Sequence, residues 1–147
     1  MDDTTTFGYS LELDNGDLVI ENDQLLTVAG KPNLLQALTL RVLTPYGSDQ
    51  FNTTYGLDVS RAFTQPNGLS MVKELIKLNL VRTLGTDPRV DDISQVLFDD
   101  DPAYLAAHPE IAAQTLIDQH HRRYWQVDVT ITTAQSQPVT LPVSVGV

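Results

Sequence analysis

The sequence contains no cysteine among its 147 residues. Disulfide bonds, thiolate zinc sites and thiol catalysis are therefore excluded. It also lacks an apolar run long enough to span a bilayer, and residues 1–6 (MDDTTT) have none of the basic, apolar and small-residue regions of a secretory signal. We therefore expect the chain to reside in the cytoplasm, with no membrane partner.

Basic residues are scarce: the chain has 9 Lys and Arg against 19 Asp and Glu, which gives a net charge of -10. Free nucleic acid is not an expected partner, because phosphate binding needs clustered Lys and Arg. The charges are unevenly spread, since residues 1–30 are acidic with no basic residue, whereas basic residues are in excess from Arg61 to Arg89. This pattern serves either solubility and internal ion pairing, or separate faces that meet different protein neighbours.

Apolar residues alternate with polar ones from Tyr9 to Ile20, and Asn15-Gly16 interrupts the alternation. This pattern predicts an N-terminal β-hairpin, with a further short turn at Asn22-Asp23. Gly30 breaks the chain, Pro32 is predicted to lie in the first turn of one main helix, and leucines at helical spacing continue that helix through Leu43. A second main helix is predicted from Ser70, as its N-cap, to residue 84. The second helix is apolar around most of its circumference, so we expect it to be covered on more than one side.

Alternation is clearest at the end of the chain, where two stretches are joined by a turn at 135–138. It predicts a C-terminal hairpin that forms a small sheet. In its second strand Leu141, Val143, Val145 and Val147 face the core. The predicted class is α+β, in a single domain over 1–147. An insertion at about 99–123 is expected to carry an extra helix at about 103–122, which Pro109 could open.

Two stretches of the chain carry a family resemblance. The first runs from Asp23 to Asp58 and contains LLQAL, RVLTPYG and YGLD; the second is Thr86-Asp87-Pro88-Arg89-Val90. In this order they resemble the GPW/gp25 family of baseplate wedge proteins, in which a leucine helix runs into a Leu-Thr-Pro turn and a Glu-Pro-Arg motif follows the next helix. Asp87 stands where that family usually has glutamate, and the 99–123 insertion departs from its pattern.

The resemblance implies a structural component of a contractile phage tail or injection system, without enzymatic activity or cofactor. Such a protein would sit in a sixfold baseplate during assembly in the cytoplasm and would remain in the finished particle. Its partners would be the larger wedge proteins and the sheath subunits, with inner tube and hub proteins as further candidates. Its fold would resemble the strand-exchanging domain of the sheath subunit and would template sheath assembly.

The expected assembly residues fall in two groups. By resemblance, Asp87-Pro88-Arg89 would bind the core bundle of the wedge, although Arg89 could instead close an internal ion pair with a nearby aspartate. In the last strand Pro142 has no N–H, so the side that it faces is expected to be an open edge. There the backbones of Ser144 and Gly146 would accept an incoming strand. Tyr46 and Tyr55 are either corner-packing residues or interface anchors.

The enzymatic alternative is a cell-wall glycoside hydrolase of a phage tail. Such chemistry needs two carboxylates a few ångströms apart, whereas the glutamates lie on different predicted elements. A metal site is not expected either: His120 and His121 are adjacent and point about 100° apart on a helix, and the histidines are predicted to be solvent-exposed. Residues 99–101 (DDD) lack the alternating ligands of a calcium loop, which predicts a solvated loop or a helix cap.

Overall fold

The computed structural model describes residues 2–111 and 124–146 and has an α+β fold, as predicted. The helices are α1 (Asp3–Phe7), α2 (Lys31–Leu43), α3 (Ser60–Thr64), α4 (Leu69–Leu84) and α5 (Pro102–Ala107). The strands are β1 (Tyr9–Leu11), β2 (Leu13–Asp14), β3 (Asp17–Leu18), β4 (Ile20–Glu21), β5 (Gln24–Leu25), β6 (Thr27–Ala29), β7 (Val90–Phe98), β8 (Tyr124–Thr133) and β9 (Pro138–Gly146). None of these helices has the length and hydropathy that crossing a bilayer requires.

The core lies between the two main helices and an antiparallel sheet in the order β7-β8-β9. Alternate side chains of β8 and β9 are buried and pack in one apolar cluster with α2 and α4. Each fully buried valine or leucine contributes about 1.5–3 kcal/mol to folding, so this face holds the sheet to the helices. Three of the four predicted core residues of the last strand are confirmed (Leu141, Val143 and Val145), while Val147 lies outside the described residues.

The predicted N-terminal hairpin is present within a larger unit, which we call the hairpin head (residues 9–29). Both predicted turns form: φ is 50° and 90° at Asn15-Gly16, and 49° and 61° at Asn22-Asp23. Positive φ at both central positions is the turn geometry that matches the twist of two-residue hairpins. The first turn joins β2 to β3 and the second joins β4 to β5, while β1 pairs with β6.

A ring of backbone hydrogen bonds closes the hairpin head. The N–H of Glu12 donates to the carbonyl of Leu26 (2.9 Å), that of Val19 to Glu12 (3.1 Å) and that of Leu26 to Val19 (3.0 Å). These residues are spaced by seven positions, so the two hairpins and the β1–β6 pair form equivalent arms around the ring. Helix α2 holds this unit through Gln36, whose side chain accepts from the N–H of Leu13 and donates to the carbonyl of Leu11, both at 2.9 Å.

Two residues predicted to begin helices, Ser70 and Pro109, do not begin them, although the inserted helix starts within one residue of the expected position 103. The N-cap of helix α4 is Gly68, two residues before the predicted Ser70, which lies inside the first turn; the helix therefore has no side-chain cap there. In the predicted insertion it is Pro102 that lies in the first turn of a helix, and that helix ends at Ala107. Pro109 lies in the turn that follows, because Tyr104 and His108 have already closed the helix end through a backbone bond of 3.0 Å. The expected helix at about 103–122 is therefore wrong at 108–111, and its residues 112–122 lie outside the described residues.

The long loop after α2 is closed by a short parallel bridge between Pro45 and Leu57. Next to it Gly56 has φ of 109°, and its carbonyl accepts the buried hydroxyl of Thr83 on α4 at 2.6 Å. A Cβ on Gly56 would lie 2.5 Å from the carbonyl oxygen of Thr44. The close passage of the loop over the end of α2 therefore requires glycine at this position.

We predict that Gly56→Ala lowers the free energy of unfolding by at least about 2 kcal/mol, because the new Cβ meets backbone and the positive φ is strained. Chemical denaturation monitored by circular dichroism measures the change. Gly68→Ala is the matched control: nothing lies within 4 Å of its Cβ position, so the change should stay within about 1 kcal/mol. Equal stability of the two variants would contradict the argument.

Candidate functional site

The predicted motif Asp87-Pro88-Arg89 forms a compact clamp between α4 and β7. The guanidinium of Arg89 donates to both carboxylate oxygens of Asp87, from Nε at 2.9 Å and from Nη2 at 2.7 Å. The backbone N–H of Arg89 adds a bond of 3.0 Å to the same carboxylate. We call this pair the Arg89 clamp. Pro88 between them is exposed and restricts the backbone that brings the two side chains together.

The Arg89 clamp also ties distant parts of the chain. Its third guanidinium nitrogen, Nη1, donates to the carbonyl of Phe7 at the end of α1 (3.1 Å), and the Arg89 carbonyl accepts the N–H of Ala134 in the β8–β9 turn (3.1 Å). Burial raises the pKa of Asp87, but the hydrogen bonds from Arg89 outweigh it and hold the pKa below its usual value. The pKa of Arg89 is raised, chiefly by its bond to Asp87.

The sequence allowed two roles for Arg89, and the structure contains one of them, the internal ion pair with a nearby aspartate. Asp87 is the partner, and all three guanidinium nitrogens are engaged within the protein. An additional role of the motif in binding a wedge protein stays a prediction. Of the two loop tyrosines, Tyr55 packs its ring under the guanidinium of Arg41 at 4.4 Å, while Tyr46 remains exposed.

The second predicted group lies on β9. The pairing at the start of the preceding turn shows which residues of β9 bond to β8. The N–H of Thr133 donates to the carbonyl of Gln137 at 3.0 Å, so the odd-numbered residues of β9 bond to β8 and the even-numbered ones point away. Pro142 lies opposite Asp128, and the two form a non-hydrogen-bonded pair, so the missing N–H of Pro142 costs no bond to β8. We call the outward side the β9 edge; its backbone groups belong to Pro138, Thr140, Pro142, Ser144 and Gly146.

A groove of about 660 Å³ runs beside the end of the β9 edge. Ser144 and Gly146 line one side, and the opposite side is formed by the end of α2 and the loop from Thr44 to Tyr46. In the described part of the chain β9 pairs with β8 alone. The predicted residues Pro142, Ser144 and Gly146 are therefore brought together along one open edge, away from the Arg89 clamp.

A cluster that the sequence did not predict surrounds the aspartates at 99–101. Asp99 is completely buried and accepts the N–H of Gln126 at 3.2 Å, and Asp101 accepts the N–H of Phe98 at 2.8 Å. Asp100 pairs with Lys73 of α4. The expectation of a solvated loop is therefore wrong for Asp99, because its carboxylate replaces a strand partner at the end of the sheet. The alternative of a helix cap holds at Asp101, which is the N-cap residue of α5, although its side chain makes no capping hydrogen bond.

His108 is likewise held by carboxylates and is only partly exposed. Its Nε2 lies 2.7 Å from Asp128 Oδ2 and its Nδ1 lies 3.2 Å from Glu110 Oε1, with its ring against Tyr104. The bond to Asp128, aided by Glu110, raises the pKa of His108 above 6.5. The prediction of a solvent-exposed histidine is wrong here. Asp128, a polar position in the alternation of β8, was the only signal, and it did not indicate which histidine it meets.

The remaining carboxylates bear on the enzymatic alternative. The four glutamates lie in the hairpin head (Glu12 and Glu21), on α4 (Glu74) and after α5 (Glu110). No group of three or more His, Asp or Glu side chains among residues 2–111 and 124–146 is arranged to hold a metal ion. The absence of enzymatic activity stays a prediction, and His120 and His121 lie outside the described residues.

Comparison with known proteins finds no matching family model, no similar curated protein and no similar solved structure. The resemblance to the GPW/gp25 family therefore rests on the ordered motifs between residues 23 and 90.

We predict that Arg89→Ala lowers the free energy of unfolding by roughly 2 kcal/mol, because it leaves the Asp87 carboxylate buried and unpaired in a partly screened site. Arg89→Lys should recover only part of the loss, since an ammonium cannot span both carboxylate oxygens and Phe7. Urea denaturation measures both. Arg61→Ala on the exposed face of α3 is the control. If Arg89→Ala were as stable as that control, the clamp would not hold the fold.

We also predict that α5 is released as the pH rises. Because the folded pKa of His108 is raised, its contribution to stability is fully present below the ordinary value of 6.5 and is lost as the pH rises through the folded pKa. Amide hydrogen exchange of residues 102–111, corrected for intrinsic rates, should therefore accelerate on going from about pH 6 to about pH 8.5. His108→Gln should remove this pH dependence. Equal protection of the wild type at both pH values would contradict it.

Proposed function

We propose that this protein is a structural, non-enzymatic component of the baseplate of a contractile tail-like machine. In this role it sits among the larger wedge proteins of a sixfold assembly and offers the first acceptor for strands of the sheath subunits. The observation that carries the proposal is the β9 edge, a strand side that no described residue pairs with and that has a groove along its end. The ordered motifs that resemble the wedge family support the same function.

The β9 edge has the backbone chemistry that strand addition requires. Ser144 and Gly146 present successive N–H groups away from β8, and the carbonyls of Pro142 and Ser144 alternate with them. An incoming strand that pairs here gains main-chain hydrogen bonds along its length, and these supply affinity with little demand on its sequence. The neighbouring side chains of Val143 and Val145 are buried, so the acceptor strand stays in place when a partner binds.

The groove beside this edge supports the same role. Val42, Leu57 and Val59 contribute apolar walls, and Asp58 and Ser60 lie at its polar end. Side chains of a strand alternate between two faces, so every second residue of an added strand would point toward the groove. The groove therefore selects strands with apolar residues at alternate positions, which describes a sheet-forming arm of a partner protein.

Two prolines on the same edge limit where pairing can occur. Pro138 and Pro142 lack the N–H that a partner strand would use, which discourages indiscriminate pairing along the first half of β9. No proline follows Pro142 in β9. The acceptor stretch is therefore confined to residues 143–146, next to the groove.

We predict that Ser144→Pro permits incorporation into baseplates but yields tubes without sheath. The substitution removes an outward N–H, and it leaves the buried face of β9 unchanged. Negative-stain microscopy of particles assembled with the variant as the sole copy measures sheath content.

Ser144→Ala is the matched control, because it removes the hydroxyl and keeps the backbone donor. It loses only the exposed bond from Ser144 Oγ to Gln126 (2.9 Å) and should give sheathed particles. Fully sheathed particles carrying Ser144→Pro would refute the acceptor role of the β9 edge.

A further inference from the structure

The hairpin head carries an apolar surface that the rest of the described chain does not cover. Leu18, Ile20 and Leu25 are 49%, 64% and 49% exposed. Ile20 and Leu25 are direct cross-strand partners, so their side chains share a face. Scattered exposed leucines are ordinary, but an exposed apolar cross-strand pair with a further exposed leucine two residues away in the chain indicates a binding surface.

All charged residues of the hairpin head are acidic. Neither turn carries a basic residue, and neither does any other position from 1 to 30. Among residues 2–111 and 124–146 none of the acidic side chains of the head forms an ion pair. These side chains are Glu12, Asp14, Asp17, Glu21 and Asp23. A partner for the head must therefore offer an apolar surface with basic residues around it.

The same chain presents such a surface on α4. Leu78 is 62% exposed and Val81 is 39% exposed, on the side of the helix that the core does not use. Lys77 lies four residues before Val81 and Arg82 lies four residues after Leu78, and such positions are neighbours on a helix surface. Glu74 is exposed four residues before Leu78, so two basic residues stand against one acidic residue on this side of the helix. The sequence predicted that this apolar helix would be covered on more than one side. In the described chain α2, α3 and β7 pack against α4, and they leave Leu78 and Val81 exposed.

Beside that helix face lies a groove of about 540 Å³ lined by Arg41 and Arg82, which we call the arginine groove. Arg41 is held in place by the Thr86 hydroxyl at 2.8 Å and by the ring of Tyr55. Neither arginine has a carboxylate within ion-pair distance in the described part of the chain. Asp58 also lines the groove, where its carboxylate accepts the N–H and hydroxyl of Ser60, so the groove retains a net positive charge.

We propose that a second copy of this chain docks head to tail, with its acidic hairpin head against the arginine groove and the exposed face of α4. A head-to-head contact would oppose two acidic heads, and a contact between two arginine grooves would oppose arginines, so only the head-to-tail arrangement brings opposite charges together. Such a contact joins different surfaces of the two copies and repeats from copy to copy, which produces a closed ring or a filament. The proposal does not depend on the β9 edge or on sheath binding.

The first test is the mass of the free protein. Sedimentation velocity from about 10 µM to about 1 mM should show self-association at about 0.02 M salt, weakened at least about tenfold at about 0.5 M salt. Asp17→Arg in the head and Arg82→Glu in the tail should each weaken self-association at least about tenfold. Arg61→Glu makes the same charge change as Arg82→Glu outside the groove, and it should associate like the wild type.

The deciding test mixes the two variants. In each variant alone, the head and tail that meet carry like charges at the altered position. In an equimolar mixture the unaltered head of Arg82→Glu can meet the unaltered tail of Asp17→Arg. The altered head of Asp17→Arg can likewise meet the altered tail of Arg82→Glu, where the charges are again opposite. The mixture should therefore regain association close to the wild-type level. If Arg82→Glu does not fold, Leu78→Ser serves as the tail variant, and its loss of association is the expected result.

Three outcomes would overturn the proposal. The first is a wild-type protein that stays monomeric over the whole range, which leaves the two surfaces to other proteins. The second is association that survives in both single variants, which means that a different surface mediates it. The third is a mixture of folded Asp17→Arg and Arg82→Glu that remains as weakly associated as its components.

Discussion

The relative positions of the parts of this protein depend on the ion pair between Arg89 and Asp87. Its geometry is bidentate, and the same guanidinium reaches the carbonyl of Phe7 while the Arg89 carbonyl accepts from Ala134. Four separate segments therefore meet at one residue, Arg89: α1, the end of α4, the start of β7 and the β8–β9 turn. Because Asp87 is buried, an arginine that could not reach it would leave a charge without solvent or partner, and this makes the arrangement specific.

The uneven charge along the chain has two different structural bases. In the basic stretch, Lys73 is used internally: it pairs with Asp100 and lies over the rings of Phe98 and Trp125, at 5.5 and 5.3 Å from the centroids. In the hairpin head the acidic groups remain exposed around an apolar patch. Internal pairing thus explains part of the excess of basic residues, whereas the acidic side chains of the N-terminal region remain exposed and can attract or repel other molecules.

Both outer strands of the three-stranded sheet carry features that restrict pairing. Strand β7 changes register twice against β8, between Val90 and Asp92 and between Ile93 and Gln95. Such irregularities bend an edge away from flat, extended partners. Strand β9 instead carries prolines in its first half. The regular stretch from Val143 to Gly146 is therefore the part of β9 best suited to selective strand addition, and it borders the groove.

Local patterns in the sequence determined the α+β class, the two main helices, the Asn15-Gly16 turn and the C-terminal hairpin with its buried face. Periodicity and turn chemistry suffice to predict these elements, because the conformation of each depends mainly on the residues within it. The sequence also placed Pro142, Ser144 and Gly146 on one side of a strand, since that follows from strand geometry alone.

Only the tertiary structure decided which aspartate meets Arg89, that Asp99 is buried, and that His108 lies between Asp128 and Glu110. It also closed the hairpin head through bonds among residues 12, 19 and 26, and left Leu78 and Arg82 uncovered. Each of these joins positions that are distant in the chain or depends on what packs nearby. Residue type and spacing indicate which kinds of group a side chain can bind. Which residue it binds, and how deeply both are buried, depends on how the elements pack together.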